Sequence, residues 1–192
     1  MKKYFIPLLF IAVSVQGQSW TKQYDFVDDC VCGLAKVSKN DKFGFVNQEG
    51  KLIVPLEYDE ALAFSEGLAA VKKGNRWGYL DSTGKLITEL KFEDAASFHE
   101  GMAAVKKDGK YGFMGNDGNM LIPFEFAMAG RFSEGLAAVE NSKELWGYID
   151  VKGKLVIGYA YNFADTFTEG IARVMKAGTM KNIDRAGKEV KE

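Results

Sequence analysis

A short, mostly apolar segment that begins after a glycine recurs along this chain at a nearly constant spacing. Residues 66–71 are Glu-Gly-Leu-Ala-Ala-Val, and similar segments stand at 32–37, 100–105, 134–139 and 169–174. Successive copies are separated by 34, 34, 34 and 35 residues, counted between the glycines Gly33, Gly67, Gly101, Gly135 and Gly170. Self-similarity at a fixed period is typical of repeat architectures. The sequence therefore predicts about five copies of one structural unit, starting near these glycines.

An aromatic residue followed by glycine accompanies each of the first four copies. It stands ten residues after the copy's glycine in the first three copies and eleven after it in the fourth, where residues 140–145 carry one extra residue. Glycine leaves a notch on a strand, so another backbone or a ring from the adjoining copy can approach closely. We interpret these pairs as structural motif residues rather than a site; they are Phe43-Gly44, Trp77-Gly78, Tyr111-Gly112 and Trp146-Gly147.

Each copy predicts a β-meander of three strands, which in the second copy covers residues 68–73, 77–81 and 85–88. Apolar residues point to both faces of the first strand, as expected for a strand covered on both sides by stacked copies. Turns rich in Gly, Asn and Asp separate the strands. A non-strand connector, extended or a single helical turn, follows each meander and ends at a second aromatic residue such as Phe98. The predicted fold is all-β: an open, solenoid-like array of about five three-stranded meanders of about 34 residues.

A closed, propeller-like ring is the alternative architecture. A propeller blade needs about 40 residues and four strands, and a copy with 34 residues and three strands falls short of this. The ends also favour an open array, because the fifth copy has Met180-Lys181 in place of the aromatic-glycine pair and ends in polar residues. Terminal repeats face water and differ from internal ones.

The recurring motifs resemble the WG repeat, also called the KWG repeat. The shared features are Glu-Gly-Leu-Ala-Ala-Val, aromatic-Gly-Tyr-x-Asp and Gly-Lys-Leu-Ile, and they cover the chain from about Tyr24 to Glu192. The departures are Cys32 for Glu and Phe43 for Trp in the first copy. The resemblance implies an all-β repeat assembly that acts as a non-enzymatic interaction module, and the family supplies no catalytic residues to carry over.

The first 17 residues have the features of a secretory signal peptide. Lys2 and Lys3 precede an apolar run over residues 4–13, and small or compact residues lead to a cut after Gly17. A retained membrane anchor is the alternative, but the run has only half of the ~20 residues that span a bilayer. We expect residues 18–192 to form the repeat domain in an extracytoplasmic location, which is periplasmic, cell-surface or secreted, with no membrane span after cleavage.

Charge and composition limit the chemistry. With 25 basic and 26 acidic residues, the chain lacks the positive excess of a nucleic-acid-binding protein. Its single His argues against Ser/His/Asp catalysis and multi-His metal sites, so we predict no catalytic residue, no metal and no cofactor. Cys30 and Cys32 are interpreted as a local bond or two partly buried thiols, with a redox pair or an intermolecular bridge as the alternative.

Several residues have both a functional and a plain structural interpretation. One glutamate per copy could form a ridge that collects cations, or it could accept backbone hydrogen bonds at its turn; these residues are Glu66, Glu100, Glu134 and Glu169. His99 stands where Ser65, Ser133 and Thr168 stand, so a turn residue is the simpler interpretation. Residues 116–119 faintly resemble a calcium loop but occupy the regular glycine turn. The rings Trp77, Tyr79, Tyr111, Trp146 and Tyr148 could stack on sugars or peptide side chains, although their periodicity favours core packing.

The function expected from the sequence is an extracytoplasmic scaffold that binds a protein, peptide or glycan partner without catalysis. The binding residues are not assigned by the sequence. A carboxylate-dependent hydrolase with His99 as a helper is one alternative. A structural envelope protein without a discrete ligand is the other.

Overall fold

The computed structural model describes residues 19–190, and the predicted signal peptide at residues 1–17 lies outside them. The described residues form nineteen strands and one 3₁₀ helix, Ser19–Gln23. Sheet 1 consists of β1 (Phe26–Val31), β2 (Leu34–Lys39), β3 (Lys42–Asn47) and β4 (Leu52–Tyr58), and sheet 2 consists of β5 (Glu60–Ala61), β6 (Leu68–Lys73) and β7 (Arg76–Asp81). Sheet 3 consists of β8 (Asp94–Ala95), β9 (Met102–Lys107), β10 (Lys110–Gly115) and β11 (Met120–Phe126), and sheet 4 consists of β12 (Met128–Ser133), β13 (Leu136–Glu140), β14 (Trp146–Asp150) and β15 (Leu155–Tyr161). Sheet 5 consists of β16 (Phe163–Ala164), β17 (Ile171–Lys176), β18 (Thr179–Asp184) and β19 (Glu189–Val190).

The all-β prediction is confirmed, but the prediction of three strands per copy is wrong. Four of the five sheets have four antiparallel strands in sequence order. The extra strand comes from the segment predicted as a non-strand connector. In sheet 4, for example, β12 pairs with β13 across the turn at Glu134 and Gly135, whose φ angles are 54° and 76°. Two consecutive residues with positive φ form the turn that suits a two-residue β-hairpin, so the residues before the turn must pair with those after it.

Sheet 2 has three strands because Thr88 interrupts the fourth. The Thr88 hydroxyl accepts a hydrogen bond of 3.0 Å from the backbone N–H of Tyr79. That N–H is therefore not available to a ladder carbonyl. Isolated bridges, Leu80 with Leu86 and Trp77 with Phe92, remain where the other sheets have a regular strand.

Aromatic rings pack between consecutive sheets. At each boundary, a ring from the third strand of one sheet meets the phenylalanine that lies two residues before the Glu-Gly turn of the next. The centroid distances are 4.8 Å for Phe45–Phe64, 5.1 Å for Tyr79–Phe98, 4.8 Å for Phe113–Phe132 and 4.8 Å for Tyr148–Phe167. Such tilted or edge-to-face pairs each contribute about 0.5–1.5 kcal/mol beyond the area they bury. The core therefore consists of separate apolar layers between sheets, as the repeat pattern predicts.

The motif glycines make room for backbone rather than for rings. A Cβ placed on Gly147 would lie 2.6 Å from the carbonyl oxygen of Ile157, in the next strand of the same sheet. Gly44 and Gly112 face equivalent carbonyl oxygens of Val54 and Ile122 at 2.5 and 2.7 Å. The ladder shifts register at these points, so the bulged strand bends into the notch. The expectation of a close backbone is confirmed, and the alternative of a neighbouring ring in the notch is wrong.

The two ends of the array differ. On the outer face of sheet 1, Trp20 of the 3₁₀ helix lies directly over Gly50, where a Cβ would be 2.3 Å from the indole Cγ. Gly187 and Gly153 sit in the same way on isoleucines of the preceding sheet. Trp20 thus takes the place of a preceding sheet. In sheet 5, Arg173 occupies the position that is alanine in sheets 2 to 4, and it is exposed.

Candidate binding surface

The recurring glutamates join one copy to the next. The Glu100 carboxylate accepts hydrogen bonds from the backbone N–H groups of Glu134 at 2.6 Å and Gly135 at 2.8 Å. Glu66 accepts one from Gly101 at 2.8 Å in the same way. Glu134 accepts one from Gly170, at 3.0 Å to its nearer oxygen. Of the two interpretations from the sequence, the one observed is that the glutamates accept hydrogen bonds from backbone N–H groups at a turn. The N–H groups belong to the turn of the following copy.

His99 lies where the sequence places it. It directly precedes the turn at Glu100 and Gly101, and its backbone pairs with Met102. The serines at the equivalent positions bond across copies: Ser65 Oγ donates to the carbonyl of Phe98 at 2.6 Å, and Ser133 Oγ donates to that of Phe167 at 2.8 Å. His99 is half-buried in this row of residues beside the turns.

The segment at 116–119 is a regular turn. Asp117 accepts hydrogen bonds from the backbone N–H and the side-chain amide of Asn119, at 2.9 and 2.8 Å. These bonds lower the pKa of the Asp117 carboxyl. Asp81 is held in the same way by Thr83, which lowers its pKa too. Within residues 19–190, no group of three or more His, Cys, Asp or Glu side chains is placed to hold a metal ion.

Most of the candidate rings belong to the core. Tyr79 and Tyr148 are fully buried, and their hydroxyls donate to the carbonyls of Ala96 at 2.6 Å and Asp165 at 2.8 Å. Burial raises the pKa of both phenols. Tyr111 is also buried; burial and its 2.5 Å hydrogen bond to Asp94 raise its pKa.

Trp146 is the exception among these rings. Trp77 is only 6% exposed, and the Lys72 ammonium lies 5.7 Å from its ring centroid. In sheet 4 the lysine is replaced by Glu140, and Trp146 is half-buried. The fourth copy therefore exposes an aromatic surface that the second copy covers.

The hairpin that follows β13 also departs from the repeat. In sheets 1, 2, 3 and 5 an Asp, Glu or Asn side chain before or at the first strand accepts a backbone N–H at the hairpin tip; the acceptors are Asp25, Asp59, Glu93 and Asn162. In sheet 4 that position is Ala127. The longer loop is held by Asn141, whose side-chain oxygen accepts from the N–H groups of Lys143 and Leu145 at 2.9 and 3.2 Å.

Beside this loop lies a groove between sheets 3 and 4 with a volume of about 340 Å³. Lys110 and Glu125 of sheet 3 line one side, and Asn141, Ser142 and Tyr159 of sheet 4 line the other. Burial, and then the nearby Glu125 carboxylate, raise the pKa of Tyr159. Sequence reasoning missed this groove, although the extra residue in 140–145 marked its position.

The two cysteines are unbonded thiols. Cys30 is buried, and burial raises the pKa of its thiol. Cys32 is half-buried and occupies the first turn position, where later copies have glutamate. Of the two structural interpretations from the sequence, a pair of unbonded thiols is observed and a local disulfide between Cys30 and Cys32 is not.

The sequence profile of the WG containing repeat matches four consecutive segments, residues 43–77, 77–111, 111–143 and 146–179. The chain belongs to this family. The resemblance inferred from the sequence motifs is thereby confirmed. A search of curated proteins gives no significant match.

Solved structures with a similar fold include Hsv2 of Kluyveromyces lactis and the computationally designed Ika8 protein. Both have a TM-score of 0.54 over 83% of this chain, with sequence identities of 16% and 15%. The repeats resemble those of the propeller-like Hsv2. This chain spans 58% of the length of each of these two structures. At such low identity the likeness concerns the fold alone, and it agrees with the four-stranded sheets. Among residues 19–190, no helix has the length and apolar character that a membrane crossing requires.

Proposed function

We propose that this WG-repeat protein is an extracytoplasmic, non-enzymatic scaffold that binds a protein, peptide or glycan partner on the surface of its array. The observation that carries the proposal is the use of its recurrent carboxylates. Glu66, Glu100 and Glu134 are held by backbone N–H groups of the next copy. These bonds support a role in joining the copies rather than in acid–base chemistry, which needs a distinctive pair of carboxyl groups.

The departures of the fourth copy support a binding role. A repeat array needs only regular positions to pack its sheets. The partly exposed face of Trp146 and the groove beside Asn141 depart from the regular pattern of the other copies. Surface rings together with polar groups are common in binding sites.

The proposed location is supported by the basic start and apolar run of residues 2–13, which have the pattern of a cleaved signal peptide. A scaffold in the cell envelope or outside the cell would meet proteins, peptides and glycans rather than nucleic acid. The nearly balanced charge of the chain also gives no general attraction for phosphate backbones.

Affinity capture from the native cell envelope tests the proposal. The tagged protein is expected to retain one partner in stoichiometric amount after washing. His99→Ser, which introduces the residue present at positions 65 and 133, is the matched control and should retain the same partner. Substrate turnover that one substitution at His99 or Glu100 abolishes would establish the hydrolase instead. Capture of no partner would favour a structural envelope protein.

A further inference from the structure

Two ion pairs cross the boundary between sheets 1 and 2. Lys73 Nζ of sheet 2 lies 2.7 Å from Glu57 Oε2 of sheet 1. Lys42 of sheet 1 pairs with Asp59, which also accepts the backbone N–H of Gly74. Each of these four charges is therefore matched by an opposite charge on the other side of the boundary.

The boundary between sheets 3 and 4 keeps only one member of each pair. Glu125 stands at the position of Glu57 and Lys110 at that of Lys42. Their expected partners are replaced, because Asn141 stands for Lys73 and Ala127 stands for Asp59. Among residues 19–190, the side chains of Glu125 and Lys110 form no ion pair or hydrogen bond.

The other two boundaries do not show this pattern. Between sheets 2 and 3, Arg76 and Glu93 keep one pair at 3.8 Å, and the second pair of positions holds Lys91 and Lys107, which have like charge. Between sheets 4 and 5, the four positions hold Leu145, Ala160, Asn162 and Lys176, with no carboxylate. A carboxylate and an ammonium that both lack partners thus occur together at the boundary of sheets 3 and 4.

These two charges lie on the wall of the 340 Å³ groove. Its lining also includes the apolar residue Leu155, the aromatic residue Tyr159 and the loop residues Asn141 and Ser142. A volume near the lower end of the range for ligand pockets fits one or two side chains. A lysine can lay its aliphatic stem on apolar surface while its ammonium reaches a carboxylate.

We propose that this groove binds a polypeptide segment of a partner that presents a lysine side chain to Glu125 and an acidic side chain to Lys110. The partner then supplies in trans the two groups that Lys73 and Asp59 supply within the chain at the first boundary. This inference rests on the proposed scaffold function and names its site and the chemistry of its partner.

A capped peptide, acetyl-Gly-Lys-Gly-Glu-Gly-amide, tests the groove by NMR titration of the ¹⁵N-labelled protein. Because exposed ion pairs are individually weak, we expect saturable shifts with a dissociation constant on the order of millimolar. The shifts should centre on the amides of Asn141, Ser142 and Tyr159. The same peptide with acetylated lysine should lose them. Absence of saturable shifts, or equal binding of the acetylated peptide, would overturn the proposal.

Variants that restore or transfer the charge pattern give the matched controls. Ala127→Asp supplies the missing partner of Lys110 and should weaken binding about two- to fivefold, as should Glu125→Gln. The double variant Asp59→Ala with Lys73→Asn recreates the pattern between sheets 1 and 2 and should add a second set of shifts there. Unchanged binding by Glu125→Gln, or no new shifts in the double variant, counts against the proposal.

The capture experiment separates this inference from the proposed function. A partner captured equally well by the wild type and by Glu125→Gln with Lys110→Met would refute the groove and leave the scaffold function standing. A partner lost from that double variant but retained by His99→Ser would support both.

Discussion

The hydrogen bonds of Glu100 provide a test of how consecutive copies are joined. Its carboxylate in sheet 3 accepts two backbone N–H groups of sheet 4, at 2.6 and 2.8 Å. In Glu100→Gln the side chain keeps its size, but the charge and one of the two acceptor oxygens are lost. One N–H group then faces an amide NH₂ that cannot accept it. Glu169→Gln is the matched control, because Glu169 occupies the same turn position and makes no such bond within residues 19–190.

The expected loss follows from the strength of charge-assisted hydrogen bonds. Bonds to charged groups contribute about 1.5–3 kcal/mol each when protected from water. Glu100 is exposed, so water solvates the freed N–H group and the contribution falls. We therefore expect Glu100→Gln to lower the free energy of unfolding by about 1–2 kcal/mol, which is at or below the lower end of that range because the site is exposed. Glu169→Gln should stay within about 0.5 kcal/mol of the wild type.

Urea unfolding followed by tryptophan fluorescence and by far-UV circular dichroism measures this difference. The comparison holds if both probes report one transition and if the dependence on urea is unchanged between variants. Glu100→Gln as stable as the wild type, or Glu169→Gln as unstable as Glu100→Gln, would refute the reasoning that these bonds join the copies.

Three further predictions concern packing and titration. Trp77→Ala should destabilise the fold by roughly 3–5 kcal/mol through loss of a buried ring; a loss below about 1 kcal/mol in urea unfolding would show that the ring is not core. Gly147→Ala should cost about 1–3 kcal/mol, because its Cβ would lie 2.6 Å from a backbone oxygen. Gly158→Ala meets no atom within 4 Å and is its control, so equal losses would contradict the notch. The raised pKa of Tyr148 predicts stability that is present below the unfolded phenol's pKa of about 10 and lost as pH rises above it. Tyr148→Phe should lose less stability than the wild type between pH 9 and 11, and identical slopes would contradict the assignment.

The sequence was sufficient for the repeat, its phase and most of its turns. The strand predicted at 68–73 is observed as β6 with the same bounds, and positive φ occurs at the turn glycines as expected. Strands and turns can be predicted in this way because the copies are equally spaced, so that a feature assigned in one copy can be compared with the same position in the others.

The strand before each Glu-Gly turn was not predicted from the sequence. Glu66 and Gly67 both have positive φ, the conformation of a two-residue turn that connects two antiparallel segments. The sequence segments before these turns contain little regular alternation, and only two residues form a strand in β5, β8 and β16. Pairing with the next strand, rather than local propensity, makes them extended.

The groove depends on pairs of residues that are distant in sequence and meet across a boundary between sheets. Asn141 and Ala127 are unremarkable as single residues, and their meaning appears only when Lys73 and Asp59 are placed beside Glu57 and Lys42. Aligning the copies could have found these substitutions. That the positions face one another across two sheets required the structure.

Hydrogen exchange in Phe132→Ala is the most direct test of the claim that each sheet is stabilised by its neighbours. The ring of Phe132 in sheet 4 packs on Phe113 of sheet 3 with centroids 4.8 Å apart. Because repeat stability is carried by contacts between neighbours, protection should fall most for backbone amides in sheets 3 and 4 and least in sheet 1. Equal loss of protection in all five sheets, or loss confined to the residues adjoining Phe132 in sheet 4, would contradict it.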